Sequence, residues 1–218
     1  MKLGRRVLLF PLPWQGHLNP MFELAQILYS KGFSVTIIHT NFNAPNSSNF
    51  PHFTFRSLST CYTDKGVQED DFMAIIAQLN INLVEEFRKC LAHLISESDE
   101  TKEPISCLIA DSLWHFTQAT LDHFRLPRIL LRPSSPCCFP SFSNILRLHQ
   151  KGYTAMQDSQ LEEPVSEFPP LRVKDIPFVS TRNPDDLFET VRGMVRGLRG
   201  SSGVIWNTFE ELDQDSLK

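Results

Sequence analysis

Short apolar runs alternate with amphipathic segments along most of the chain, and this alternation limits the possible fold more than any other feature of the sequence. Each run has the length and composition of a strand that is buried on both faces. Strands that alternate with helices predict an α/β fold with a doubly wound, mostly parallel sheet. The predicted strands are residues 7–11, 33–39, a short strand within 52–58, 105–110, 127–131 and 203–206.

The segments between these strands carry apolar residues at helical spacing. The first predicted helix has Asn19 as its N-cap and Pro20 in its first position, and it ends near Gly32. Together with its two flanking strands it is typical of a βαβ unit. The other predicted helices are one long helix with an apolar face from Phe72 to Leu94, then 113–124, 139–150, 185–199 and a last one from about Phe209, whereas 59–68 and 151–183 are predicted to be loop or irregular.

Composition places the chain among ordinary globular proteins. Its 218 residues are enough for one large domain, and 41% hydrophobic and 21% charged residues are typical values. A net charge of -4 provides no basic face for nucleic acid or for an anionic membrane. No apolar stretch is long enough to span a bilayer, and the run after Arg6 lacks the cleavage site of a signal peptide, so we expect a cytoplasmic protein.

The cysteines do not form a recognisable framework. Their number is odd, and no pair has the C-x-x-C spacing that is common in zinc sites. We therefore expect reduced thiols and no structural metal. The five cysteines are Cys61, Cys90, Cys107, Cys137 and Cys138.

A histidine and an aspartate follow the two strands that should flank the ligand crevice. His17 comes just after the first strand, and Asp111 ends the fourth. In the common strand order 3-2-1-4-5 these strands are neighbours, about 4.8 Å apart, and ligands bind at their carboxyl ends. A neutral imidazole there can take a proton from an attacking hydroxyl, and the carboxylate would fix its tautomer. The positive end of the following helix disfavours imidazolium, whereas Asp111 favours it.

Neither residue is strong evidence by itself. A single histidine after a strand is more often a structural hydrogen-bonding group, and an aspartate at a strand end is usually a cap or turn former. His39 also ends a strand and is the alternative base, although topology places it one strand farther from Asp111.

Three segments together resemble one family. RRVLLFPLPWQGHLNPMFELAQILYSKGFSVTIIHTNFN resembles the N-terminus of plant family-1 UDP-glycosyltransferases, and the signature P-x-P-x-Q-G-H-[IL]-x-P is matched in full from Pro11 to Pro20. CLIADSLWHF resembles the segment that carries the catalytic aspartate of the family, which falls on Asp111, and SSGVIWNTFEELD resembles the end of the N-terminal domain. HTNFN, FPHFTFR and RVKDIP look most like the subgroup that glucosylates cytokinins, diterpenoids and iridoids.

The resemblance implies a two-domain GT-B enzyme, in which residues 1–218 are the Rossmann-like N-terminal domain that binds the acceptor. His17 would be the base that activates a small hydrophobic acceptor for direct, inverting attack on a UDP-sugar, most simply UDP-glucose, without a metal. The donor signature of the family, with its H-C-G-W-N-S-like core, is not in this sequence. We therefore expect that the C-terminal donor domain is missing and that this chain alone is inactive.

The resemblance also implies where the acceptor binds. Trp14 and Gly16 lie next to His17, and a second set follows the fifth strand, where the pocket residues of the family cluster. Relatives carry a histidine at the position of Phe142, so the phenylalanine departs from the pattern and a polar contact with the acceptor is not expected there. A third set lies at positions i, i+4 and i+7 of one helix, for which core packing is the alternative. The second and third sets are Ser134, Cys138 and Phe142, and Leu187, Val191 and Met194.

Other functions fit the sequence less well. A module that binds a small apolar molecule or a partner without chemistry is the main alternative. A nucleotide-binding Rossmann domain is disfavoured because PWQGHLNP follows the first strand in place of G-x-G-x-x-G. A serine or cysteine hydrolase is disfavoured because the sequence has no G-x-S-x-G elbow.

Overall fold

The computed structural model describes residues 5–59, 71–152, 158–166, 168–176, 181–214 and 216. In these residues six parallel strands form one sheet in the order β3-β2-β1-β4-β5-β6, so the predicted fold class and strand order are confirmed. The sixth strand extends the sheet beside the fifth. The strands are β1 (Arg5–Phe10), β2 (Phe33–Thr40), β3 (Thr54–Leu58), β4 (Ile105–Asp111), β5 (Arg128–Arg132) and β6 (Gly203–Trp206).

Helices cover both faces of the sheet because successive strand residues point to opposite sides. Val7 and Leu9 of β1 pack with Met21 of the first helix, whereas Leu8 and Phe10 belong to the larger core on the other face. That larger core contains residues of most of the later helices. The helices are α1 (Gln15–Ser30), α2 (Phe72–Asn82), α3 (Val84–Thr101), α4 (Thr117–Phe124), α5 (Phe139–Ser143), α6 (Ile145–Gln150), α7 (Pro184–Gly200) and α8 (Glu210–Asp213).

The first helix starts earlier than the sequence predicts. The predicted N-cap at Asn19 is wrong, because α1 begins at Gln15 and Pro20 lies inside it. The N–H of His17 donates to the carbonyl of Trp14 at 2.9 Å, and no side chain caps this end. Backbone hydrogen bonds alone therefore add a turn before the expected start, and this turn contains the histidine.

The long apolar face from Phe72 to Leu94 belongs to two helices and not to one. α2 and α3 are separated at Leu83, whose ψ is -10°. The side chain of Asn80 bonds to backbone in place of solvent, donating at 3.0 Å to the carbonyls of both Ile76 and Leu113. Such side-chain bonds compete with regular helix hydrogen bonding. They also attach α2 to the turn that follows β4.

Two other predicted helices are shorter than expected. The predicted helix 139–150 is interrupted at Asn144, whose side chain donates to the carbonyl of Pro140 at 2.8 Å. The predicted helix 113–124 begins only at Thr117, because the preceding turn is closed on Asp111. The predicted helix 185–199 is confirmed as α7.

Two predictions extend beyond the described residues. The loop predicted for 59–68 lies outside them from residue 60 onward, as does Cys61. The other four cysteines are free thiols. In the described parts of 151–183 the chain forms short 3-10 turns and an isolated bridge between Pro164 and Arg172, in agreement with an irregular segment.

Candidate active site

His17 and Asp111 meet at the carboxyl edge of the sheet. Nδ1 of His17 lies 2.6 Å from Oδ2 of Asp111. Asp111 is the last residue of β4, and strand alternation places it on the same face as Ile109, which packs with α1. His17 is in the first turn of α1, which follows β1. Because β1 and β4 are neighbours in the sheet, the side chains of His17 and Asp111 lie side by side.

The carboxylate of Asp111 is fully buried and held at both oxygens. Its Oδ1 accepts the backbone N–H of Leu113 at 3.0 Å, while Oδ2 bonds to His17. The indole of Trp114 donates at 3.1 Å to the carbonyl of Pro11 and thereby ties the turn after β4 to the end of β1. The backbone around the pair is therefore fixed from both strands.

The bond to Asp111 also determines the tautomer of the imidazole. Because a carboxylate accepts, Nδ1 of His17 carries the hydrogen, and the Nε2 of a neutral ring is left as the acceptor. Burial lowers the pKa of His17, but the charge of Asp111 and the hydrogen bond to it outweigh burial and raise the pKa above its ordinary value. The charge of Arg132 opposes this rise.

His39, the alternative base, lies elsewhere. Its Nδ1 is 3.0 Å from the carbonyl of Thr40, and its ring packs against Phe55 of β3. It is not among the residues that line the cavity described next. The prediction that His17, and not His39, is the histidine beside the fourth strand is therefore confirmed.

A cavity of about 410 Å³ opens beside His17. Its size is within the range of small-molecule sites, and its wall is mainly apolar with a few polar groups. The residues that line it come from α1, from the start of α2, from the ends of β4 and β5, and from the segments that follow β5. They are His17, Phe72, Met73, Ser112, Leu113, Arg132, Pro133, Ser134, Cys138, Ser141, Phe142 and Asp175.

The structure brings some of the predicted acceptor residues to this cavity and not others. Ser134, Cys138 and Phe142 line it. Trp14 does not, since it packs against Phe72 with ring centroids 4.5 Å apart. The remaining predicted residues, which are also absent from the lining, are Gly16 and the α7 residues Leu187, Val191 and Met194.

The α7 residues are core residues in this structure. Leu187, Val191 and Met194 are all buried in the larger core, which is the packing alternative for a stripe at this spacing. Met194 reaches the cavity only indirectly, through a contact of its sulfur with Arg132. Whether any of the three contacts an acceptor stays a prediction.

Arg132 is the main lining residue that the sequence reasoning missed. The predicted fifth strand ended at residue 131, whereas β5 includes Arg132 as its last residue. A charged residue at the carboxyl end of an otherwise buried strand was the available signal. Phe72 and Ser112 were missed because a helix start and a turn reveal no pocket in the sequence.

The described residues contain neither a metal-binding cluster nor a membrane-spanning helix. No three His, Cys, Asp or Glu side chains in the described segments are arranged to hold a metal ion. Among the described helices, none combines the length and the apolar character that are needed to cross a membrane.

Comparison with known proteins identifies the relatives of this chain. No protein-family model matches it. UDP-glycosyltransferase 76B1 of Arabidopsis thaliana is 44% identical over 212 residues, which are 97% of this chain and 46% of that protein. UDP-glycosyltransferase 76G1 of Stevia rebaudiana is 42% identical over 221 residues, which are 98% of this chain and 48% of that protein. The names of both relatives place them in family 76 of the plant UDP-glycosyltransferases. This agrees with the prediction that the chain resembles one subgroup of these enzymes.

Solved structures with the same fold were also found. The structure of Phytolacca americana UGT2 complexed with UDP-2fluoro-glucose and pterostilbene matches with a TM-score of 0.76 at 18% identity, over 100% of this chain and 51% of that one. At that identity the likeness shows the fold alone, which is the Rossmann-like half of a GT-B fold. The chain spans about half the length of the curated relatives that it matches. On sequence similarity along nearly its whole length, this chain belongs to the plant UDP-glycosyltransferase family.

Proposed function

We propose that these residues are the acceptor-binding and catalytic-base half of an inverting UDP-dependent glycosyltransferase, which transfers a glucosyl group to a small hydrophobic plant metabolite. The observation that carries the proposal is the 2.6 Å contact between Nδ1 of His17 and Asp111 at the wall of a mainly apolar cavity. Relatives named as UDP-glycosyltransferases support the choice of donor. The main site for the UDP-sugar is proposed to lie outside these residues.

In this mechanism the acceptor hydroxyl occupies the cavity beside His17. Its oxygen forms a bond to the anomeric carbon while the bond from that carbon to UDP breaks, and UDP leaves with the electron pair. The hydroxyl proton passes to Nε2 of His17. Asp111 keeps Nδ1 protonated and stabilises the imidazolium that forms, as the aspartate of a catalytic triad does. Attack from the face opposite UDP inverts the configuration.

The proposal is tested by restoring a complete enzyme. The chain is fused to the remaining half of UDP-glycosyltransferase 76B1 and assayed with UDP-glucose and a panel of small phenols and terpenoid alcohols. Loss of the base by His17→Ala is expected to lower kcat by about 10²- to 10⁴-fold, because proton transfer then falls to water. His39→Ala is the matched control and should change kcat by less than about threefold.

Two results would count against the proposal. Full activity in the His17→Ala fusion would show that His17 is not the base. Loss of activity in the His39→Ala fusion would assign the role of base to His39. A fusion that binds acceptors but transfers no sugar would favour the binding-module alternative. The 218-residue chain alone is expected to show no transfer, and robust turnover by it would contradict the proposed location of the donor site.

A further inference from the structure

Arg132 is a buried cation on the wall of the cavity. It is 6% exposed, and no carboxylate in the described part of the chain forms an ion pair with it. Asp111 is near enough to favour its charge, but that carboxylate is already bonded to His17 and to the backbone of Leu113. A buried charge without a paired carboxylate is costly, so a ligand that brings a negative charge to this wall would be stabilised.

The groups around the guanidinium satisfy only part of its hydrogen-bonding capacity. Nη1 donates to Ser112 Oγ at 3.2 Å and to the sulfur of Met194, and Nη2 donates to Ser134 Oγ at 2.9 Å. Of its five N–H groups, two are thus left over, one on Nη2 and the other on Nε, which is buried without an acceptor. A carboxylate has two oxygens and suits two such donors.

The aromatic rings near Arg132 stabilise a cation but supply no counter-charge. The guanidinium carbon lies 5.5 Å from the ring centroid of Phe139, 5.6 Å from that of Phe142 and 5.7 Å from that of Trp206. Cation–π contacts of this kind offset part of the desolvation cost. Asp175, the acid among the lining residues, is exposed and accepts the backbone N–H of Arg172, so it does not neutralise the site.

Arg128 shows what a structural buried arginine looks like on the same strand. It is 1% exposed and, like Arg132, has an unpaired Nε, but it donates to the carbonyl of Gly197 near the C-terminus of α7 and to Thr117 Oγ1. The carboxyl end of a helix is partly negative and favours a cation. Arg128 does not line the cavity, whereas Arg132 does.

We propose that Arg132 binds a carboxylate of the acceptor, so that the preferred acceptors are small hydroxy acids whose hydroxyl reaches His17 while their acid group pairs with the guanidinium. The inference rests on the proposed function for the fate of the hydroxyl, but the binding step is independent of it. A cavity of about 410 Å³ limits the acid to a small molecule. The mainly apolar wall suits a small organic acid better than a strongly hydrated diphosphate.

The test measures binding to the 218-residue chain itself. The 2-, 3- and 4-hydroxybenzoates and the matching hydroxybenzamides are titrated calorimetrically at about pH 7 and about pH 8.5, because His17, whose pKa is raised, carries less positive charge at the higher pH. At least one acid is expected to bind about tenfold or more tightly than its amide. Arg132→Met should lower the affinity for that acid by about 10- to 100-fold and that for the amide by less than about threefold.

Further variants separate charge recognition from folding. Arg132→Lys keeps the charge but not the planar pair of donors, so it should lose less affinity for the acid than Arg132→Met. Arg128→Met removes the other buried arginine of β5 and should keep the difference between acid and amide, even where it lowers the melting temperature. UDP is titrated in parallel, because a diphosphate is the other anion that an enzyme of this class would bring to the site.

The inference is overturned by equal binding of every acid and its amide, by the absence of acid binding, or by equal losses for both ligands in Arg132→Met. A variant that loses affinity for UDP but not for the acid would assign Arg132 to the donor. These results leave the proposed function intact, because that is decided with neutral acceptors and His17→Ala in the fused enzyme. Conversely, acid-selective binding by the chain would stand even if the fusion transferred no sugar.

Discussion

The protonation state of the His17 imidazole depends on influences that oppose one another. Burial and Arg132 disfavour the protonated form of His17, whereas the charge of Asp111 and its hydrogen bond favour it more strongly. A base with a raised pKa takes up a proton readily but is free to act only at higher pH. The proposed enzyme should therefore lose activity as the pH falls through a pKa above 6.5.

Replacing Asp111 by Asn tests this balance. The variant removes both influences that raise the pKa of His17 and leaves burial and Arg132, so the pKa should fall below 6.5. NMR titration of the His17 ring in wild type and Asp111→Asn measures the change directly. In the fused enzyme the acid limb of kcat/KM should move to lower pH, and kcat should drop by about 10²- to 10⁴-fold because the tautomer is no longer fixed.

The pH dependence of the stability that Asp111→Asn removes also tests the pairing of His17 with Asp111. The folded-state pKa of His17 is raised, so the pair stabilises the fold fully below the unfolded pKa of about 6.5, and this contribution is lost as the pH rises through the folded value. Asp111→Asn should thus cost more stability at about pH 6 than at about pH 9. An unmoved His17 titration, or a larger loss at high pH, would contradict the pairing.

At the scale of elements, the strands were predictable and the helix ends were not. Buried parallel strands such as Leu108–Ala110 are continuous apolar runs, and each appears where its run predicts it. The pair Asn19–Pro20 carries the sequence signature of a helix start, yet backbone bonds to Trp14 begin α1 a turn earlier. Hydrogen bonds that the backbone makes with itself leave no trace in side-chain patterns.

The candidate site was likewise predictable only in part. The proximity of His17 and Asp111 follows from strand order, because neighbouring parallel strands bring their carboxyl ends together. The wall of the cavity does not follow from strand order. Trp14 is displaced from it by Phe72, and Arg132 enters it because β5 continues one residue further than its apolar run. Which side chain fills a space depends on three-dimensional packing, which periodicity does not contain.

The packing of α7 on the turn after β4 gives a prediction at this scale. A Cβ added to Gly193 would lie 2.5 Å from two ring atoms of His115, so the ring or the helix must move. Gly193→Ala is expected to lower the free energy of unfolding by about 1–3 kcal/mol, despite the better helix propensity of alanine. Urea denaturation of both proteins measures it.

Gly200 in the same helix is the matched control. Its added Cβ would lie 3.6 Å from Gln118 Oε1, which is an ordinary contact. Gly200→Ala should therefore change the free energy of unfolding by less than about 0.5 kcal/mol or raise it slightly. Equal effects of the two substitutions would show that α7 does not press against His115 as the structure has it.

At the scale of the whole molecule, the edge of the sheet at the carboxyl ends of the strands and the edge at their amino ends have different roles. The carboxyl edge holds the candidate site, with the buried side chains of Asp111 and Arg132 and the partly buried His17. At the opposite edge, Arg6 of β1 bonds to Glu97 at 3.1 Å and to Glu103 at 3.0 Å. These ion pairs join the start of β1 to α3 and to the segment before β4. They complete the fold without reaching the cavity.

Glu97 and Glu103 have further partners in the same network. Arg56 of β3 lies 2.7 Å from Glu97, and the hydroxyl of Ser34 in β2 donates to Glu103. The bond from Arg56 is the main influence that lowers the pKa of Glu97, and the bond from Ser34 is the main one that lowers the pKa of Glu103. Arg6 lowers both further. The network thus links four strands or their ends through two carboxylates.

Removing the central cation should affect stability and leave binding unchanged. Arg6→Met leaves Glu97 and Glu103 without their shared cation, so the free energy of unfolding at neutral pH should fall by about 1–3 kcal/mol. Because the folded pKa values of both carboxyls are lowered, the network stabilises the fold above their unfolded pKa of about 4.5 and loses this effect as the pH falls through the folded values. The difference between wild type and Arg6→Met should therefore shrink from about pH 7 to pH 3.

Denaturation curves across that pH range measure the difference, and Arg88→Met provides the control. Arg88 pairs with Glu85 on the exposed face of α3, where such pairs contribute little, so its loss should leave stability nearly unchanged at every pH. Affinity for the hydroxybenzoates should be the same in wild type, Arg6→Met and Arg88→Met, because no ligand group reaches the amino edge. A stability difference that grows in acid would contradict the ion-pair network of Arg6, whereas a loss of ligand affinity in Arg6→Met would mean that the two edges of the sheet are coupled.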